Sequence, residues 1–336
     1  MRHIIYEKEI KSLSNLILTL HKPEIESQVS TWKSLKMKSS KLPKRLRNDL
    51  ISLSYEENKN GFIVISGFPI LDAELGETPK SWQERPCRDQ IKNFELFMLL
   101  CASFLGEPFG WATQQDGHII HEILPMIEYK YEQLGFSSSV FLELHTEDAF
   151  HAHRPDFLLL GCLRNEEKIP TIISSISRVE LSKIPHVDEL FKPQFIIKPD
   201  KSHLGITNSK LEEKTASFGA HQRILLKNDT PELVPVLFGH KDKPYVRADD
   251  DLLELPEQGL AREALLALRE AFQIVSQNVT LAAGDLLIVD NYRALHGRAP
   301  FEAKYNGKDR WLKRINLSTN FRNHLGCRVP GSRIVE

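Results

Sequence analysis

Two short segments, far apart in the chain, hold residues that together could bind one divalent metal: Leu144-His145-Thr146-Glu147-Asp148-Ala149-Phe150-His151 and Leu295-His296-Gly297-Arg298. His145 and Glu147 are two positions apart, so on an extended strand both side chains leave from the same face. His296 completes a triangle if a second strand lies alongside. Two imidazoles and one carboxylate on one side of an ion leave the opposite positions open, an arrangement that suits non-haem Fe(II) oxygenases. His151 and His153 are rivals by residue type, but they precede Arg154-Pro155 in what reads as a turn. The expectation for them is the surface, or a place behind the ligands. The 336 residues contain no His-Glu-x-x-His, no Gly-x-Ser-x-Gly and no phosphate-cradling glycine loop, which weakens hydrolase readings.

A triangle of this kind needs elements that bring residues 145 and 296 together. Gly61 to Pro69 is an apolar run bounded by glycine and proline and reads as a buried strand. From Ile91 to Leu105, Phe94, Phe97, Met98, Cys101 and Leu105 recur at helical spacing, and Gly106 with Pro108 ends the segment. Beyond about residue 136, strands are expected at Phe157 to Leu163, Phe195 to Lys198, Tyr245 to Ala248 and Leu286 to Val289. One helix interrupts them, Leu260 to Gln277, with Leu265, Leu268, Phe272 and Val275 on one stripe. Gly284-Asp285 reads as a tight turn into a strand that stops shortly before His296. The ligands are therefore expected at strand ends. A jelly roll is a known way to gather such distant strands around a cavity.

With 41% hydrophobic and 26% charged residues, the chain can bury a large core, as one big domain or two intimate ones. Forty-four basic and forty-five acidic residues nearly cancel, so a nucleic-acid partner is not expected. The basic stretch from Lys33 to Arg47 reads as a solvated surface. Four cysteines without a CxxC pair fit a reducing, cytoplasmic setting. The start of the chain meets Glu7 and Lys8 before any signal-like apolar core, and no run approaches membrane-spanning length.

Longer blocks carry a resemblance. They are Phe109-Gly110-Trp111-Ala112-Thr113-Gln114-Gln115-Asp116-Gly117, the segment from His145 to His151, Lys198-Pro199-Asp200 with Ser202-His203, and Asp309-Arg310-Trp311-Leu312-Lys313-Arg314-Ile315-Asn316. From about Gly61 to Arg322 the sequence resembles the clavaminate synthase-like branch of the Fe(II)/2-oxoglutarate-dependent oxygenases, within it the free arginine and lysine hydroxylases. The resemblance implies an α+β, mainly β fold: a double-stranded β-helix core with flanking helices over 61–336, preceded by a helical extension at 1–60. It implies Fe(II) held by His145, Glu147 and His296, with O2 and 2-oxoglutarate as co-substrates. Glu147 follows this branch, where most of the wider superfamily has Asp.

By the same resemblance Arg310, fourteen positions after His296, meets the distal carboxylate of 2-oxoglutarate and Thr171 assists it. A guanidinium suits that task because it can offer two parallel charge-assisted hydrogen bonds. Arg314 matches the residue for a substrate carboxylate, and Gln114 and Glu147 match groups near its amine. The run Ser137-Ser138-Ser139 covers a family position that does not align to a single residue. Asp249 and Asp251 match an acidic pair that holds a basic side-chain end; in an extended segment they would face one way and Asp250 the other. The arginine enzyme has glycine where Asp250 stands, so lysine and arginine both remain open. The expected activity is hydroxylation of a free basic L-amino acid, lysine ahead of arginine and C4 ahead of C3. Desaturation, cyclisation and a carrier-tethered substrate are alternatives, and a non-catalytic metal-binding jelly roll is the rival class. The span from about 200 to 220 is a candidate lid.

Overall fold

In the computed structural model, which describes residues 1–20, 29–55, 58–204 and 216–336, the apolar runs form two facing sheets. The larger runs in the order Arg2–Ile4, Phe62–Ser66, Leu286–Asp290, Phe157–Arg164, Trp311–Ser318, Glu107–Trp111, Ile334–Val335, with Ile120–Ile123 also paired to Trp311–Ser318. The smaller runs Gln277–Thr280, Pro170–Ser175, Ala294–Arg298, Leu142–His145. The chain alternates between them: from Leu142–His145 to Phe157–Arg164 and back to Pro170–Ser175, then from Gln277–Thr280 to Leu286–Asp290, Ala294–Arg298 and Trp311–Ser318. This alternation is the double-stranded β-helix.

Burial explains why the strand sequences are so apolar. Every residue of Phe157–Arg164 is buried. Leu158, Leu160 and Cys162 face inward with Ile173, Leu287, Val289 and Leu312, while Phe157, Leu159 and Leu163 face helices on the outer side. A strand covered on both faces reads as a continuous apolar run instead of an alternating one. Helix Asp89–Leu105 lies on that outer face, close enough that a Cβ at Gly161 would sit 2.4 Å from Met98 Sδ. Helix Leu260–Val275 covers the outside of the smaller sheet through Leu265, Leu268 and Phe272, each worth roughly 1.5–3 kcal/mol on burial. The last expected helical residue, Gln277, instead opens the next strand.

Some expectations need correction. Lys33 to Arg47 is not simply solvated: it spans parts of helices Val29–Ser39 and Lys44–Ser54, whose Trp32, Leu35 and Leu46 are buried, as is Leu42 in the link between them. Its lysines cover only the outer face. The expected strand from Tyr245 to Ala248 lies earlier, at Lys243–Val246, paired with Leu237–His240. The first residues form a strand parallel to Phe62–Ser66, which no sequence pattern announced. The four cysteines are free, with Cys101 and Cys162 buried. Among the described residues, no helix is long and apolar enough to cross a membrane.

Candidate active site

The smaller sheet sets the first half of the site by register. His296 lies opposite His145 on one side and Ile173 on the other, and Arg298 lies opposite Thr171. Side chains two apart share a face, so His296 with Arg298 and Thr171 with Ile173 point inward together. His296 is thus at the middle of strand Ala294–Arg298, not at a strand end. Glu147 is not on the strand either. The chain leaves the sheet after His145 and turns, with Asp148 at φ +52. Asn291 fixes that turn: the Glu147 N–H donates to Asn291 Oδ1 at 2.6 Å, and Asn291 Nδ2 donates to the Glu147 carbonyl at 3.0 Å.

The three side chains converge. One ligand atom from each of His145, Glu147 and His296 lies within 4.8 Å of the others. His296 Nε2 is 3.4 Å and His145 Nε2 is 4.0 Å from Glu147 Oε2. His145 Nδ1 lies 2.8 Å from the Glu143 carbonyl, which can only accept, so Nδ1 carries the hydrogen and the Nε2 lone pair faces the triangle. Burial would lower His145, but Asp249 and Glu147 carry it above its ordinary value. His296 is pushed down to about 4 by burial and by His145. Although burial opposes ionisation of Glu147, Arg314 and the two histidines hold it well below the usual carboxylate range. Two neutral nitrogens and an anionic oxygen are what a divalent iron needs, and the donor set fits it.

The triangle lines a cavity of about 110 Å3, open to solvent at its mouth. At one end stand Arg310, Thr171 and Arg298, with Arg310 Nη2 donating to Thr171 Oγ1 at 3.3 Å. Arg310 Nε is buried with no hydrogen-bond partner among the described residues. Arg298 donates to Ser137 Oγ at 2.8 Å and to the Ser138 and Ala299 carbonyls at 3.3 and 3.2 Å, and among the described residues it meets no carboxylate. Burial lowers Arg310 to about 10, and burial with neighbouring Arg310 lowers Arg298 to about 9. Two adjacent guanidiniums without a counter-anion are costly in a protein interior. They suit the distal carboxylate of a 2-oxo diacid.

On the other side, the Arg314 guanidinium contacts Glu147 Oε1, and its Nη2 meets Gln114 Oε1 at 2.8 Å and His121 Nδ1 at 2.7 Å. Burial and the Arg314 charge hold His121 far below its ordinary value, a neutral ring that accepts from the arginine. Gln114 Nε2 donates to Ser202 Oγ at 2.6 Å. Asp249 and Asp251 both line the cavity, and Asp250 does not; it pairs with Arg269 at 3.0 Å. The reason is a turn rather than the extended segment expected. The Leu253 N–H returns to the Asp249 carbonyl at 2.8 Å, and Asp249 Oδ1 accepts from Asp251 N and Leu252 N. Burial raises Asp249 to about 6, against the pull of His145.

Ser137 and Ser138 do not line the cavity; they are buried behind Arg298. His151 is buried edge-on to Trp111, with ring centroids 4.6 Å apart, so it is no surface residue, and neither it nor His153 joins the triangle. Of the candidate lid, Asp200 and Ser202 line the cavity, while residues 205–215 lie outside the described residues. Sequence reasoning missed Arg298, His121, Glu143 and Asn291. Arg298 carried a signal, standing two positions after His296 on one strand face. The others meet the site only through pairings distant in sequence.

A cavity of this kind between the two sheets of a β-helix defines a class, the non-haem iron dioxygenases that use a 2-oxo acid as co-substrate. Residues 180–316 match the taurine catabolism dioxygenase TauD, TfdA family. The L-ornithine/L-arginine 3-hydroxylase of Catenulispora acidiphila is 37% identical over 278 residues, covering 81% of each chain. The enduracididine beta-hydroxylase of Streptomyces hygroscopicus is 35% identical over 298 residues, covering 88% of this chain and 87% of that protein. An L-lysine 4-hydroxylase of Niastella koreensis is 29% identical over 278 residues, covering 80% and 69%. The crystal structure of the non-haem iron oxygenase OrfP with Fe, succinate and (3S)-hydroxy-L-Arg superposes with a TM-score of 0.91 at 34% identity over the whole of both chains. The chain belongs to the clavaminate synthase-like Fe(II)/2-oxoglutarate-dependent oxygenases. It is a 2-oxoglutarate-dependent dioxygenase of the amino-acid hydroxylase group.

Proposed function

We propose that this enzyme hydroxylates C3 of a free basic L-amino acid, with L-arginine as the leading substrate. The observation that carries the reading is the turn that sends Asp249 and Asp251 into the cavity of the His145–Glu147–His296 triangle and turns Asp250 away to Arg269. Two carboxylates in a cavity favour a cationic side-chain end and disfavour neutral ones. The expected preference for lysine and C4 finds less support than arginine and C3. The relatives at 35% and 37% identity are named as 3- or β-hydroxylases, one of them for ornithine and arginine, whereas the lysine 4-hydroxylase stands at 29%.

In this reading His145, Glu147 and His296 hold the iron, and Arg310 with Thr171 holds the far carboxylate of 2-oxoglutarate. Arg298, buried beside them, adds a second positive charge to that end. When bound, iron with 2-oxoglutarate and O2 supplies the oxidation that replaces an unactivated C–H bond by C–OH, with succinate and carbon dioxide as co-products. The protein's part is placement. Arg314 takes the substrate carboxylate, Gln114 and Glu147 lie near its amine, and Asp249 with Asp251 receives the basic end. Held at both ends, the amino acid presents a mid-chain carbon to the metal.

The test is to supply the iron-loaded enzyme with 2-oxoglutarate, oxygen and each common amino acid plus ornithine, and to follow succinate. Arginine should give the largest rise. If arginine, ornithine and lysine all fail to raise succinate above the substrate-free background, the basic-substrate reading is wrong.

A further inference from the structure

The cavity wall at residues 200–204 is fastened from behind. Asp200 caps a single turn, its Oδ1 accepting the Ser202 N–H at 2.7 Å, and both side chains face the cavity. The next residue, His203, is fully buried, with its ring edge-on to Phe150 and Trp111 at 5.0 and 5.5 Å. Its Nε2 lies 2.8 Å from Asp148 Oδ1 and its Nδ1 lies 2.7 Å from Thr113 Oγ1. A carboxylate only accepts, so Nε2 carries a hydrogen toward Asp148, and in the neutral ring the Thr113 hydroxyl donates to Nδ1. Asp148 directly follows Glu147. Its φ of +52 is uncommon for a residue with a side chain, and its other oxygen accepts from Trp111 Nε1 at 2.6 Å and Asn316 Nδ2 at 3.4 Å. Asp148 thus joins strands Glu107–Trp111 and Trp311–Ser318 and the 200–204 wall at the residue beside the carboxylate ligand.

We propose that His203 is a positioning residue: the buried relay Thr113–His203–Asp148 ties the substrate-facing wall to Glu147, so that one set of hydrogen bonds places both the amino acid and the metal's carboxylate. The amino-acid arm of this proposal rests on the function proposed above; the iron arm does not. The 2-oxoglutarate end, built from Arg310, Thr171 and Arg298, shares no residue with the relay. Loosening the relay therefore weakens iron and amino-acid placement and lets 2-oxoglutarate be consumed without hydroxylation, while 2-oxoglutarate binding persists.

His203→Phe keeps a ring between Trp111 and Phe150 but removes both hydrogen bonds, and His203→Gln retains a donor toward Asp148. Three readouts on the full chain decide: the iron dissociation constant, the KM of each co-substrate at saturating iron, and succinate formed per amino acid hydroxylated. For His203→Phe, the iron constant and the amino-acid KM should each rise about ten-fold or more, with 2-oxoglutarate KM changed by less than about two-fold. Succinate per product should climb above the wild-type ratio, and His203→Gln should recover most of the loss. A wild-type iron constant and ratio in His203→Phe overturn the proposal, as does a uniform loss that includes 2-oxoglutarate binding. If His203→Phe does not fold, Thr113→Val probes the relay from its far end, and unchanged iron and amino-acid constants there overturn it. A wild-type enzyme that binds iron yet hydroxylates no basic amino acid defeats the substrate reading instead, and the iron constant of His203→Phe still decides this one.

Discussion

Arg310 and Arg298 bring two buried guanidiniums to one end of the cavity, and among the described residues they are met by the Thr171 hydroxyl, by serine-loop and Ala299 groups and by the Phe301 ring, not by a carboxylate. Replacing Arg310 by Met should therefore raise the 2-oxoglutarate KM by about thirty-fold or more, roughly 2 kcal/mol, while the amino-acid KM stays near wild type. Steady-state kinetics with each co-substrate varied in turn checks the split. The triangle itself makes a prediction about pH. A protonated imidazole cannot ligate a metal, and Asp249 and Glu147 raise His145 against burial, whereas His296 is lowered to about 4. Iron affinity should fall as pH drops, with one proton taken up per iron released, and a second only near pH 4. Iron titrations across pH read that slope; a two-proton dependence at neutral pH would contradict the assignment. These residues differ in how visible they were. His145 and Glu147 were readable from their spacing, His296 from the Gly-Asp strand before it and Arg310 from the resemblance of its block, but His121 reaches Arg314 only through the pairing of Ile120–Ile123 with Trp311–Ser318.

At the scale of elements, the strand Trp311–Ser318 and the residue before it supply much of the cavity wall. Arg310, Leu312 and Arg314 line the cavity, while Trp311 and Lys313 on the opposite face are held by buried Glu122, with Trp311 Nε1 donating to Glu122 Oε2 at 2.7 Å. The strand Leu286–Asp290 is set by the turn before it. Gly284 has φ +84, and a Cβ there would lie 1.9 Å from the Phe68 carbonyl oxygen. Gly284→Ala should destabilise the fold by more than about 2 kcal/mol, measured by denaturant unfolding. The tight turn was readable because Gly-Asp precedes an apolar run. The turn of Glu147 off the strand was not, because it depends on Asn291, 144 positions away, clamping both backbone groups of Glu147. The acidic turn at Asp249–Leu252 shows a different outcome: the extended geometry expected there is absent, yet the same two carboxylates reach the cavity because Arg269 draws Asp250 aside.

For the whole molecule, two sheets that alternate along the chain close around one cavity, and helices seal their outer faces. The β-helix was visible through its apolar strands and the resemblance of its blocks. The first sixty residues offered no comparable motif, and their helices are defined by packing of Leu13, Leu35, Leu46 and Leu50 in the core shared with helix Asp89–Leu105. Because Fe(II) and 2-oxoglutarate bind the folded chain and not the unfolded one, each at about a hundred times its dissociation constant should stabilise the fold by roughly 2.7 kcal/mol, about twice that when both are present. Thermal unfolding should shift upward and return when a chelator removes the metal. The most direct test of the account is the product itself: L-arginine incubated anaerobically with the iron-loaded enzyme and 2-oxoglutarate, then exposed to oxygen and analysed by mass and NMR. The account predicts arginine carrying one added oxygen at C3, formed with one equivalent of succinate. Unmodified arginine from an enzyme shown to hold iron and 2-oxoglutarate would contradict it.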